Sequence, residues 1–172
     1  MTINVTDNNQ HSIDEMVTNT SYMICDLLGN KRPMKFCVII LDKNTGELSI
    51  CNAGHPYPLI REKEIGEIRI PTNINLPIGI SKARSKYTFE KVALNPEETL
   101  LLYTDGFIDA NSNKTDGFGY DNLKNFFSTI PTDNIEEVEQ KLINLYETNL
   151  GSKESADDVS FIILRRNSLQ NN

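Results

Sequence analysis

The chain has 172 residues, and 24 acidic against 17 basic side chains leave it a net charge of -7. That length suits one domain or one lobe of a larger one. The acidic balance gives no electrostatic hold on a polyphosphate, so nucleic acid is excluded as a primary partner.

Residues 1–11 read as a polar leader with neither a basic start nor an apolar stretch, so no secretory signal is expected. Ser12 then opens a helix signature, with Glu15 three residues on completing a capping box. Ile13, Met16, Val17, Thr20, Met23, Ile24, Leu27 and Leu28 recur at helical spacing, and Gly29 is the stop. The six-residue run Phe36 to Leu41 is β-branched and does not alternate, which predicts a strand buried on both faces. It is the longest apolar run, far short of the roughly 20 residues a membrane helix needs, so no spanning segment is expected. Asp42-Lys43-Asn44-Thr45-Gly46 then turns the chain into a partner strand, Glu47 to Cys51, as a β-hairpin.

Pro58 to Arg61 and Glu67 to Ile70 read as a second hairpin around the charged loop Glu62 to Glu64. Pro71 to Ile80 is irregular, and Tyr87 to Ala93 alternates as a half-solvated strand should. After the turn Asn95-Pro96-Glu97-Glu98, Thr99 to Tyr103 is a continuous apolar run that ends at Thr104-Asp105-Gly106. One helix starts near Asp121 on the apolar side of Leu123, Phe126 and Phe127. Another starts at Asp133, boxed by Glu136, and stops near Gly151. A last strand, Val159 to Leu164, follows Asp157-Asp158, and Arg165 to Asn172 read as a frayed polar tail, disordered over 167–172. Strands in hairpin runs with helices at both ends predict an α+β fold on antiparallel sheet rather than a doubly wound one.

Two places could carry chemistry. Asp105 closes one apolar strand, and Asp157 and Asp158 open another. Carboxylates that converge repel unless a proton or cation lies between them, and Mn2+ and Mg2+ take oxygen ligands. The ordinary alternative is a pair of Asp-containing turns. Asn52-Ala53-Gly54-His55-Pro56 is the second place, where His55 reads either as a lone ligand or base or as part of a tight turn. The only other histidine, His11, lies in the leader, which excludes a His-rich metal site. Cys25, Cys37 and Cys51 are odd in number at no metal-type spacing, so reduced thiols in a cytoplasmic protein are expected. No phosphate-loop or nucleophile-elbow motif is present.

Asn52-Ala53-Gly54-His55-Pro56, Pro77-Ile78-Gly79, Leu101-Leu102-Tyr103-Thr104-Asp105-Gly106, Phe118-Gly119 and Asp157-Asp158-Val159-Ser160 occur in that order. In this the chain resembles the bacterial PPM-type protein serine/threonine phosphatases, in the branch of the sporulation stage II phosphatase and the stress-sigma-factor regulators. The similarity runs from about Ser12 to Arg166. It implies an αββα sandwich in which two Mn2+ or Mg2+ ions activate a water that attacks phosphoserine or phosphothreonine. By position, Asp105 and Asp157 look like metal ligands, with Gly106 and Asp158 beside them. Asn52, Gly54 and His55 fall on a hairpin motif of structural role.

The resemblance is incomplete. The family's early G-D-x-x-D strand and D-V-x-G-H-G motif, which supply the bridging ligands, have no counterpart, and Asp7, Asp14 and Asp26 lack the right neighbours. Residues 12–166 are therefore expected to be the C-terminal portion of such a domain, a partial sandwich. The alternatives are a non-catalytic interaction module and an enzyme completed by a second chain. The partner implied is a phosphorylated signalling protein of the anti-sigma-factor-antagonist type. The missing strands also predict an exposed sheet edge that favours a homodimer.

Overall fold

The computed structural model describes residues 13–29, 31–63, 66–84, 86–110, 118–151 and 157–168. The leader, the Ser12 capping position, Glu64 of the charged loop and residues 169–172 lie outside the described residues. The elements run α1 (Ile13–Leu28), β1 (Phe36–Leu41), β2 (Glu47–Ala53), β3 (Leu59–Arg61), β4 (Ile68–Arg69), a 3-10 turn (Lys82–Arg84), β5 (Glu90–Ala93) and β6 (Thr99–Tyr103). Then come α2 (Asp105–Ile108), α3 (Gly119–Thr129), α4 (Ile135–Leu150) and β7 (Phe161–Arg165). Two sheets form, in the orders β1-β2-β5 and β4-β3-β6-β7. The pairs β2–β5, β3–β4, β3–β6 and β6–β7 are all antiparallel. This is the α+β architecture on antiparallel sheet that the hairpin rhythm predicts. No helix among the described residues is long and apolar enough to cross a membrane.

The chain divides into two compact units. Unit 1 comprises 1–38, 51–54 and 73–89, and unit 2 comprises 39–50, 55–72 and 90–172.

In unit 1, α1 turns Val17, Ser21 and Cys25 inward at the four-residue spacing of one helix face. Val17 joins Cys51, Ala53, Ile78 and Tyr87 in a core against which Phe36 and Val38 pack. The fully buried Ser21 hydroxyl accepts from the Tyr87 phenol (2.9 Å) and the Gly79 N–H (3.0 Å), so no polar group is left without a partner there. Tyr87 is therefore a core phenol rather than the first residue of a strand. The expected strand Tyr87 to Ala93 is shortened to Glu90–Ala93, and the cause is Asn75. Its Oδ1 accepts from Thr88 N (2.9 Å), and its Nδ2 donates to the carbonyls of Thr88 (3.1 Å) and Asn52 (3.2 Å). One side chain takes the backbone bonds that a longer ladder would have used.

In unit 2, the sheet β4-β3-β6-β7 is covered by helices. Leu59, Leu101 and Tyr103 form the sheet side of a core with Phe107, and α3 adds Leu123 and Phe127 while α4 adds Val138 and Leu142. Leu101 sits in register between Leu59 and Ile163 and is fully buried. The α4 start differs from expectation: Asn134 is the cap, its Oδ1 accepting from Glu136 N (2.9 Å) and Glu137 N (3.4 Å). Asp133 instead faces Arg165 at 3.6 Å. Arg165 continues β7 beyond the expected end. Arg166 is held by its N–H on the Glu98 carbonyl (3.1 Å) and by Nη1 on the Leu94 carbonyl (2.8 Å).

β1 has the expected bounds but not the expected burial. All six of its residues are half-buried, because it is an edge strand with a hydrogen-bonded neighbour on one side only among the described residues.

Candidate functional site

The two acidic segments singled out from the sequence meet in unit 2, at one end of the β6–β7 pair. The ladder closes with Tyr103 opposite Phe161. Beyond it Thr104 N donates to the Ser160 carbonyl at 2.9 Å, which carries the pairing one step past the strands. Asp105 follows as the first residue of α2, and Asp157 and Asp158 precede Ser160 on the other arm. An apolar run that ends abruptly at Thr-Asp-Gly places its carboxylate where the sheet stops and a helical turn begins, half-exposed in this structure.

Thr104 does more than precede the aspartate. It is the residue ahead of α2, yet its side chain makes no capping bond to that helix. Its hydroxyl instead accepts from Ser160 N (3.0 Å) and lies 3.2 Å from the Asp158 carbonyl, to which it donates. One hydroxyl thus ties both arms of the junction.

Gly106 completes the contact. It is buried, and a Cβ built on it would lie 2.6 Å from the Asp158 main-chain oxygen. The α2 backbone and the Asp158 backbone approach too closely for any side chain between them. Asp157 and Asp158 are both exposed, and the Asp157 carboxylate accepts from Asp158 N at 2.8 Å. The segments that carry Asp105 and Gly106 and that carry Asp157 and Asp158 therefore meet at one place, an acidic end of the sheet at which both Asp157 and Asp158 are exposed.

The second motif divides between the units. Asn52 and Gly54 belong to unit 1 and His55 to unit 2. Asn52 is almost fully buried. Its N–H donates to Asn73 Oδ1 (3.3 Å), and its carbonyl accepts from Asn75 N (2.7 Å). Gly54 has φ +80, and a Cβ there would fall 2.6 Å from Pro77 Cγ. Only glycine allows that backbone and that approach, which is how Asn-Ala-Gly-His-Pro and Pro-Ile-Gly are packed together. His55 is half-exposed, with Nδ1 3.0 Å from the Pro56 carbonyl. A carbonyl only accepts, so that nitrogen carries the proton.

The carboxylates can offer oxygen ligands, and a manganese or magnesium ion takes about six. Among the described residues no group of three or more His, Cys, Asp or Glu side chains is placed to hold an ion. Asp14 and Asp26 do not help, since both lie on α1, and Asp26 is paired with Lys82 (2.5 Å). The donor set among the described residues does not fit a closed two-metal centre.

Thr104 and Ser160 are the residues that sequence reasoning missed. The signal was a hydroxyl residue directly before Asp105 and another two residues after Asp158, at the facing ends of two apolar runs.

Known proteins resemble this chain in sequence and in fold. The family model described as stage II sporulation protein E (SpoIIE) matches residues 2–167. Protein IcfG of Synechocystis sp. is 28% identical over 131 residues, which is 74% of this chain and 20% of that protein. The SiaA-PP2C domain of Pseudomonas aeruginosa matches with a TM-score of 0.75 at 19% identity, over 88% of this chain and 60% of that one. The manganese-presoaked phosphatase domain of the cell fate determinant SpoIIE from Bacillus subtilis matches at 0.66 and 17% identity, over 94% of this chain and 69% of that one. The chain thus spans a fifth of IcfG and 60% of the SiaA domain.

Proposed function

Because the chain belongs to the stage II sporulation protein E (SpoIIE) family, we propose that it is the C-terminal portion of a PP2C-like protein serine/threonine phosphatase domain. In this reading the junction of β6 and β7 is its share of the metal site. The observation that carries the reading is the contact of Gly106 with the Asp158 backbone, tied by Thr104. It brings the backbone next to Asp105 against the backbone next to Asp157, which supports reading the two as neighbours in the order of the family resemblance.

Asp105 and Asp157 are the candidate ligands, Asp158 adds charge beside them, and Gly106 lets the two arms close. A manganese or magnesium ion bound there would activate a water toward a phosphoester. The chain's own part is to hold carboxylate oxygens at the mouth. The remaining oxygens must come from elsewhere, because the described residues do not supply them. The substrate class we assign is a phosphorylated signalling protein of the anti-sigma-factor-antagonist type.

The same incomplete donor set favours a second reading, a non-catalytic interaction module of this fold. Hydrolysis of p-nitrophenyl phosphate with and without Mn2+, beside Asp105→Asn, separates the two. Circular dichroism establishes that both chains are folded, and calorimetric Mn2+ titration runs in parallel. Metal binding that weakens in Asp105→Asn and in Asp157→Asn supports the site, and metal-dependent turnover lost in Asp105→Asn makes it catalytic. A folded chain without turnover, whose Mn2+ binding is unchanged by either substitution, supports the interaction module. Turnover that survives Asp105→Asn overturns the ligand assignment.

A further inference from the structure

We propose that Arg166 and Glu97 form a clasp that fixes the register of β7, so that holding or releasing one end of this strand closes or opens the junction of the acidic segments at its other end. The clasp bears on the site proposed above, but it rests only on backbone contacts within unit 2 and holds for either reading of that site.

The junction depends on one register. β6 and β7 pair without interruption from Thr99 opposite Arg165 to Tyr103 opposite Phe161. Only in that register does Thr104 N meet the Ser160 carbonyl (2.9 Å) and Gly106 close on the Asp158 carbonyl. Burial specifies a register where a strand alternates apolar with polar residues. β7 does not alternate, since Phe161, Ile162, Ile163 and Leu164 are apolar on both faces. A one-residue slip would still set apolar side chains on either face. A two-residue slip would carry Asp158 about 7 Å along the strand, away from Gly106. The apolar pattern alone therefore leaves β7 free to slide.

The polar end of the strand removes that freedom. Arg166 N donates to the Glu98 carbonyl (3.1 Å), and the Arg166 carbonyl accepts from Glu97 N (2.5 Å). Arg166 Nη1 donates to the Leu94 carbonyl (2.8 Å). Its guanidinium lies against Gly46, where a Cβ would overlap it. Arg166 is thus tied to the start of β6, to the end of β5 and to the turn before β2. Any slip of β7 breaks these contacts together.

Glu97, the other jaw, is strained. It is the one non-glycine residue with positive φ (+70) among the described residues. It stands third in the turn Asn95-Pro96-Glu97-Glu98, closed by Glu98 N on the Asn95 carbonyl (3.1 Å), where glycine or asparagine is usual. Such a conformation persists only when its surroundings over-determine it. Here they do. The Glu97 carboxylate pairs with Lys63 and accepts from the Ser168 hydroxyl (3.3 Å), while its N–H holds Arg166. Release would relax the strain at Glu97, so the open state has a compensation of its own.

The test is backbone hydrogen exchange of the whole chain, read residue by residue, beside Arg166→Ala and Arg166→Lys. In Arg166→Ala the amides of Thr104 and Ser160 should exchange about tenfold faster relative to the core amides of Leu123 and Val138, together with those of Glu97 and residue 166. Arg166→Lys keeps a donor for the Leu94 carbonyl and should restore most of the protection. A rise confined to Glu97 and residue 166 overturns the proposal. So does a rise at Thr104 and Ser160 no larger than that of the core amides. In the unmodified chain, at urea concentrations below the unfolding midpoint, the amides of Glu97, Arg166, Thr104 and Ser160 should open as one unit with one urea slope. Separate slopes for the two ends overturn it, and this measurement decides the matter even if Arg166→Ala fails to fold. No readout involves metal or phosphoester, so a failure of the phosphatase reading leaves each of them standing.

Discussion

Gly106 and Asp158 touch through their backbones alone: a Cβ on Gly106 would sit 2.6 Å from the Asp158 carbonyl oxygen. The partner atom is main chain and cannot swing aside as a flexible side chain would. Gly106→Ala must therefore part the two arms of the junction. The expected cost is about 1–3 kcal/mol, as for an overpacked site. The urea midpoint measures it. An unchanged midpoint would show that the arms separate freely and that the junction is not rigid.

Thr104 makes a different prediction about the same place. Its hydroxyl bonds Ser160 N and the Asp158 carbonyl. Thr104→Val keeps the shape and removes both bonds, which should cost about 0.5–1.5 kcal/mol, while Thr104→Ser restores most of it. Equal stabilities of the Val and Ser variants in chemical denaturation would contradict the role given to the hydroxyl.

Tyr103 should behave in the opposite sense. Its ring is 2% exposed, and its hydroxyl has no hydrogen-bond partner among the described residues. Burial, with the nearby Tyr120 phenol, pushes its ionisation upward. Removing a buried hydroxyl that bonds to nothing relieves a desolvation cost, so Tyr103→Phe should be neutral or stabilising by up to about 1 kcal/mol. A clear loss on thermal denaturation would reveal a partner for that hydroxyl.

Alkaline pH should weaken the fold through two thiols. Burial, and for Cys37 also the neighbouring Cys51, pushes Cys37 up to about 12 and Cys51 to about 11, from an ordinary 9.0. Between 9.0 and those values the folded chain keeps protons that the unfolded chain has released. Their stabilisation is fully present below 9.0 and is lost as pH rises through the folded values. The urea midpoint should therefore fall across that window, and Cys37→Ser with Cys51→Ala should flatten the fall. Neither thiol should react with iodoacetamide near pH 8 in the native chain, since the thiolate is the nucleophile. Rapid alkylation of either one would refute the shift.

How much of this was legible in the sequence depends on how local the cause is. The bounds of β1, the antiparallel hairpin of β3 and β4, and α3 and α4 follow from apolar runs, turn residues and helical spacing close at hand. The shortening of the Tyr87 strand was not readable, because it depends on the Asn75 side chain reaching Thr88 and Asn52 from a distant stretch. The cap of α4 fell to Asn134 rather than Asp133, two acceptable capping residues side by side, and the contact that occupies Asp133 is with Arg165, far along the chain. At the junction, Asp105 and Asp157 were readable as strand-end carboxylates. The meeting of their two segments was not, since it follows from the register that sets Tyr103 opposite Phe161. The tie through Thr104 follows from that register too.

The threading of the two units has a consequence for anyone who would cut the molecule. The chain passes between them five times, and β1 and β2 each begin in one and finish in the other. No single scission releases either as a continuous polypeptide, and neither is a module that recombination could lift out whole. Damage to one should register in the other, and a limited proteolytic digest should end in whole chains or small peptides rather than in a stable half.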